Sequence, residues 1–217
     1  MKLCAFKKIT LAASAALAAA VLSGCIAAPL IVGGAAATTA SVATDRRTAG
    51  SIVSDEVTEK RIAYDIEQAF KNRKHHVSVT AYDGRVLLSG EVTSLADRRA
   101  AEQIASVSPD VKDVVNELAV MEPSSVSTRL SDSLLATKVR TAIITDSRIS
   151  LNQMKVVVER GIVYLMGFVT FEEAQTAART AAKVSGVQKV VTCFTTTTRE
   201  AIEQRMKSMQ DAQTTTP

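Results

Sequence analysis

Apolar residues recur along this chain with two different periods, and the periods follow one another in the same order twice. Ile62, Ile66, Ala69 and Phe70 fall at helical spacing, whereas Val77, Val79 and Ala81, and then Val86, Leu88 and Val92, alternate as in half-buried strands. With a second helical stretch and a closing apolar run, residues 55–120 read helix, strand, strand, helix, strand. Residues 131–195 repeat this reading. Val86-Leu87-Leu88-Ser89-Gly90-Glu91-Val92-Thr93 aligns with Val163-Tyr164-Leu165-Met166-Gly167-Phe168-Val169-Thr170 at an offset of 77, and Gly84 with Gly161 at the same offset. The closing runs Val111-Lys112-Asp113-Val114-Val115 and Val187-Gln188-Lys189-Val190-Val191 match at 76, one residue having been lost in a turn. The pattern therefore predicts an α+β protein of two tandem αββαβ repeats, each a small three-stranded mixed sheet with two helices.

Turn and cap residues agree with the pattern. Asp83-Gly84 between alternating apolar residues is a strong hairpin signal, since the turn needs positive φ, and Arg160-Gly161 is a weaker version of it. Gly90 and Gly167 sit inside predicted strands, where glycine weakens pairing unless something must come close. The helices that follow are rich in alanine (Ala96, Ala100, Ala101, Ala105; Ala174, Ala177, Ala178, Ala181), so close helix-on-sheet packing is the expected reason. Ser94 with Asp97, and Thr170 with Glu173, have capping-box spacing at the starts of those helices.

The N-terminus carries a different signal. Lys2, Lys7 and Lys8 precede a short apolar run that ends in Leu22-Ser23-Gly24-Cys25, which has the features of a secretory signal closed by a lipobox. Residues 1–24 are expected to be removed and Cys25 to become the acylated N-terminus; at about 0.8 kcal/mol per buried methylene, several acyl chains such as palmitate anchor a protein durably. A plain signal with an incidental cysteine is the alternative. Residues 25–54, rich in Ala, Gly, Thr and Ser, read as a tether of about 30 Å end to end if flexible. The first domain is expected over 55–121, a linker over 122–130, the second domain over 131–196, and a C-terminal helix and tail over 197–217.

Charge changes the picture in two places. Of 217 residues, 26 are Lys or Arg against 22 Asp or Glu, but loss of the signal removes three lysines and leaves the remainder nearly neutral. That excludes the strongly basic surface expected of a nucleic-acid binder. The repeats differ, however: residues 56–121 hold nine basic and eleven acidic side chains, residues 132–195 eight and five. On the first helix of the second repeat, Leu135, Val139, Ala142 and Ile143 form the expected buried stripe, leaving Leu134, Thr137, Lys138, Arg140, Thr141 and Ile144 outside with no acid among them. Such a face suits an anionic bilayer surface. An ordinary solvated face, or a contact with the other repeat, is the alternative.

No catalytic, cofactor or metal constellation is legible. His75 and His76 stand together in a charged run and read as a solvated loop. Phosphate-loop and nucleophile-elbow motifs are absent. Cys193 lacks a disulfide partner once Cys4 is cleaved and Cys25 acylated, and it aligns with Glu117, so it reads as a bystander thiol.

Taken in order, the lipobox, the tether, the two glycine hairpins, the strands Val-Leu-Leu-Ser-Gly and Val-Tyr-Leu-Met-Gly, Thr137-Lys138-Val139-Arg140 and the closing Val184-Ser185-Gly186-Val187 resemble the BON-domain family. They are similar in particular to its dual-domain outer-membrane lipoproteins of Gram-negative bacteria. The resemblance implies a non-enzymatic envelope-integrity protein at the periplasmic face, associating with anionic phospholipid through its second repeat and in some members found at the division site. Where relatives often carry an aromatic residue near the start of that helix, this chain has Leu134. A scaffold whose repeats bind another envelope protein is the competing expectation.

Overall fold

The computed structural model describes residues 45–214. In order they form α1 (Ala49–Ala69), β1 (His75–Tyr82), β2 (Arg85–Val92), α2 (Leu95–Ser106), β3 (Asp113–Asn116), β4 (Ala119–Val120), α3 (Val126–Ile144), a 3-10 turn (Leu151–Gln153), β5 (Met154–Glu159), β6 (Ile162–Thr170), α4 (Phe171–Ala182), β7 (Lys189–Thr197) and α5 (Arg199–Thr214). In each repeat the hairpin strands pair antiparallel and the closing strand joins the middle strand in parallel, giving the order β1-β2-β3 in one sheet and β5-β6-β7 in the other. The short β4 continues the parallel edge beside β2.

One face of each sheet carries its repeat's helices. Ile62, Ile66 and Phe70 of α1 and Ala101 and Ala105 of α2 close over Ala81, Val86, Leu88 and Val92. Leu135, Val139 and Ile143 of α3 and Ala174, Ala177 and Ala181 of α4 do the same over Val156, Val163, Leu165 and Val169. The opposite faces meet each other: Tyr82, Leu87, Tyr164, Met166 and Cys193 form a third buried cluster shared by the two sheets. Each large apolar side chain buried there contributes about 1.5–3 kcal/mol, so this patch, more than any one ion pair, docks the repeats. Double burial also explains why Val86-Leu87-Leu88 and the middle of β6 are continuously apolar instead of alternating.

The exposed strand edges are occupied by charged side chains. Arg140 donates to the Val156 carbonyl on β5 at 2.8 Å, Arg98 to Asn116 O on β3 at 2.8 Å, and Arg85 to Phe194 O on β7 at 3.0 Å, while Glu59 accepts the Ala81 N–H of β1 at 2.7 Å. Edges satisfied in this way offer little to another strand.

Several expectations are corrected by the structure. The signal, Cys25 and the tether to residue 44 lie outside the described residues, but the stretch assigned to the tether ends earlier than residue 54, because Asp45, Arg46 and Arg47 are buried and α1 begins at Ala49 behind the Thr48 cap. Most of the expected 122–130 linker is helical, α3 starting at Val126 with the Ser125 side chain accepting from Thr128 N. Gly90 and Gly167 are required by the backbone alongside them, that of β1 for Gly90 and that of the 3-10 turn entering β5 for Gly167, and not by the alanine helices. A Cβ on Gly90, whose φ is +107, would stand 2.1 Å from the His76 carbonyl oxygen, and one on Gly167 2.5 Å from that of Gln153. Gly84 and Gly161 do complete turns with positive φ at both central residues, Asp83 and Arg160 preceding them.

The histidines are not in a solvated loop. They open β1, where the His75 ring packs edge-on against Phe70 with Nε2 2.9 Å from Glu67, and His76 faces Glu159 of the second repeat at 3.7 Å. Cys193 lies buried in the cluster the two sheets share, and burial, then the nearby Glu117 charge, pushes its thiol up to about 11.

Candidate membrane-facing site

The outer face of α3 assembles all six residues that the sequence pattern placed there. Leu134, Thr137, Lys138, Arg140, Thr141 and Ile144 are each exposed, over a floor of buried Leu135, Ala136, Val139 and Ile143. Because α3 begins earlier than the repeat alignment suggested, the apolar part of the face is longer than expected. Val126, Leu130, Leu134 and Ile144 are 74%, 63%, 61% and 65% exposed. Val126, Leu130 and Leu134 are four residues apart and so lie nearly in line. The missed signal was Ser125 three residues before Thr128, an N-cap pattern followed by that same spacing.

Polar groups on this face make few demands of water. The hydroxyls of Ser131, Ser133, Thr137, Thr141 and Thr145 donate back to carbonyls of their own helix at 3.0–3.1 Å. A hydroxyl satisfied internally costs less to remove from water than a free one. At about 100° per residue, Lys138 lies about 40° to one side of Leu134 and Arg140 about 120° to the other, so cations flank the apolar strip. Lys138 has no carboxylate partner among the described residues, whereas the Arg140 guanidinium is committed to the edge of β5.

The equivalent face of α1 also exposes apolar side chains, Val53, Val57 and Tyr64. It differs in charge, because Glu56 pairs with Lys60 at 2.9 Å and Asp65 and Glu67 are exposed on the same helix. Among the described residues no cluster of His, Cys, Asp and Glu could hold a metal ion, and no helix is long and apolar enough to cross a membrane.

Two mixed sheets of this topology, docked face to face, define a tandem α+β module, and comparison with known proteins names its class. The BON domain matches twice, at residues 54–122 and 131–209, and the chain belongs to the BON-domain family. It is 39% identical over 174 residues, 80% of this chain and 89% of the relative, to the outer membrane lipoprotein DolP of Haemophilus influenzae. It is 32% identical to the 21 kDa hemolysin of Actinobacillus pleuropneumoniae over 68% of this chain and 76% of that one. A protein of Anaplasma centrale encoded in the gshII 5′ region is 30% identical over 53% of this chain and 78% of its own length. By this relationship the chain is an outer-membrane lipoprotein of the tandem BON type. A solved structure of CdsD, a structural protein of the type III secretion system of Chlamydia trachomatis, aligns at 12% identity over 72% of this chain and 99% of that one, with a TM-score of 0.29.

Proposed function

We propose that this lipoprotein is a non-enzymatic binding module that docks on anionic phospholipid at the periplasmic face of the outer membrane and so supports envelope integrity. The observation carrying this reading is the exposed strip Val126-Leu130-Leu134 beside the unpaired Lys138, on a helix whose hydroxyls are already satisfied. Apolar side chains on such a face reach the acyl boundary while the cations meet headgroups. The name outer membrane lipoprotein, carried by the relative from Haemophilus influenzae, fits a role at the envelope. Protein partnership is favoured by a separate observation, the exposed Val53, Val57 and Tyr64 on α1, and would use that face.

Sedimentation of the unacylated chain from residue 26 onwards with vesicles tests the reading. The parent should pellet with phosphatidylglycerol but not with phosphatidylcholine, and less so as salt is added. Leu130→Asp and Leu134→Asp should each reduce binding. Equal binding to both vesicle types would sink lipid recognition and leave the α1 face as the interaction surface.

A further inference from the structure

Repetition supplies an internal comparison that identifies a ligand class. In the first repeat, two carboxylates of the chain itself, from the hairpin turn and the loop before β3, are held against α1. Ser51 donates to Asp83 and Ser54 to Asp110, both at 3.1 Å, and Arg205 of α5 grips Asp83 through both terminal nitrogens at 2.9 and 3.0 Å. At the corresponding place the second repeat has an open groove of about 600 Å³, lined by Thr128, Ser131, Lys138, Arg160, Ser185 and Gln188 among others. Its hydroxyls stand where those of the first repeat stand, but Arg160 takes the place of Asp83 and Gly186 that of Asp110. Asp132 does not substitute for them. It is buried and accepts the Arg160 and Gly161 N–H groups at 2.8 and 2.9 Å, as Asp55 does for Asp83 and Gly84. With no carboxylate opposite, Ser131 turns its hydroxyl to Ser127 O, and the Thr128 and Ser125 hydroxyls pair with each other at 2.9 Å. The half-exposed Arg160 has only a 3.8 Å approach to Glu91.

We propose that this groove is a phosphodiester cradle: the headgroup of an anionic glycerophospholipid takes the position that the Asp110 carboxylate holds in the first repeat. Thr128, Ser131 and Ser185 donate to its oxygens, and Lys138 and Arg160 balance its charge. Leu134 lines both the groove and the apolar strip, so a ligand with a phosphate at one end and acyl chains at the other spans both. That continuity selects a lipid over free phosphate. The proposal rests on the phospholipid reading above and adds the headgroup site.

Amide spectra of the unacylated chain, titrated with dihexanoylphosphatidylglycerol below its micelle concentration, test it. The Gly161 and Gly186 resonances should move together with those of Leu134. Gly186→Asp, which restores the first repeat's carboxylate, and Gln188→Glu, which changes charge at constant shape, should each weaken binding about tenfold. Gly186→Asn, matched in shape to the aspartate, should retain binding within about threefold of the parent. The cradle is overturned if the aspartate and glutamate variants bind like the parent, or if the lipid moves Leu130, Leu134 and Ile144 but not the glycines; docking on α3 would then stand without it. Loss of all binding by the parent overturns both. Glycerol 3-phosphate moving the glycines as strongly as the lipid would overturn the lipid as occupant.

Discussion

Arg46 holds Glu173 through both terminal nitrogens, each 2.8 Å from a carboxylate oxygen, although the two residues lie 127 positions apart. The same guanidinium donates to Phe168 O at 3.0 Å, while its neighbour Arg47 binds Asp45 and Asp55 and covers the Tyr82 ring at 4.2 Å. One short segment is therefore pinned to α4 of the second repeat by Arg46 and to the first repeat by Arg47. Removing one partner of a buried, bidentate pair leaves the other charge without compensation, so Arg46→Ala should cost about 3 kcal/mol in urea unfolding. A midpoint unchanged within error would show that the docked sheets suffice without the clasp.

The clasp also has a pH signature. Burial alone would raise the Glu173 carboxyl, but hydrogen bonds from Arg46 and Thr170 outweigh it and hold it below the usual carboxylate range. Asp83 behaves likewise, burial being opposed by Arg205. A depressed folded-state pKa gives stability that is present above the unfolded value and lost as pH falls through the folded one. Melting temperature should therefore fall below about pH 4.5, and less steeply in Arg46→Ala.

His76 acts in the opposite direction. The Glu159 carboxylate 3.7 Å away raises it, against burial and the Arg129 charge of α3, with Glu91 of β2 adding to the rise. A raised folded-state pKa gives stability that is complete below the unfolded value near 6.5 and lost as pH climbs through the folded one. The parent should melt at a lower temperature at pH 8 than at pH 6. His76→Gln should flatten that difference, and an undiminished difference would assign it to other groups.

The repeat architecture was legible because each repeat satisfies its own periodicity: Ile62, Ile66, Val86 and Leu88 reveal their elements without reference to the other copy. What was hidden depends on contacts between the copies. Leu87, Tyr164 and Met166 break alternation for a reason visible only when the sheets face each other, and His76 looks solvated until Glu159 is brought to it from 83 residues away. Residues 45–47 lack any apolar period, and their arginines are buried through ion pairs that sequence spacing does not encode. On α3 the exposed set was readable from period alone, but its extension to Val126 was missed because the repeat alignment set the boundary at residue 131.

Gly90 and Gly167 should differ in their tolerance. Alanine at Gly90 meets both an unfavourable positive φ and the His76 carbonyl, whereas at Gly167 it meets only the Gln153 carbonyl and the Met154 side chain. Overpacking costs about 1–3 kcal/mol, and a non-glycine residue at such a φ adds a comparable amount. Gly90→Ala should thus be the more damaging in thermal melts. Equal losses would mean that β1 shifts to absorb the clash.

Lys138 and Arg140 flank the same apolar strip, yet they should separate in a paired measurement of stability and vesicle binding. Near an anionic surface each basic residue contributes on the order of 1 kcal/mol, so reversing either to glutamate moves the electrostatic balance by about 2 kcal/mol. Both Lys138→Glu and Arg140→Glu should therefore lose much of their binding to phosphatidylglycerol vesicles. Only Arg140 also donates to the Val156 carbonyl on the open edge of β5, and that bond is worth about 1 kcal/mol net. Arg140→Glu should consequently melt about 2–4 °C below the parent, while Lys138→Glu melts with it. Arg140→Gln, which keeps a donor for Val156 but removes the charge, should recover part of the stability and little of the binding. If Arg140→Glu bound vesicles as the parent does, its guanidinium would serve the strand edge alone and Lys138 would be the cation that meets the membrane.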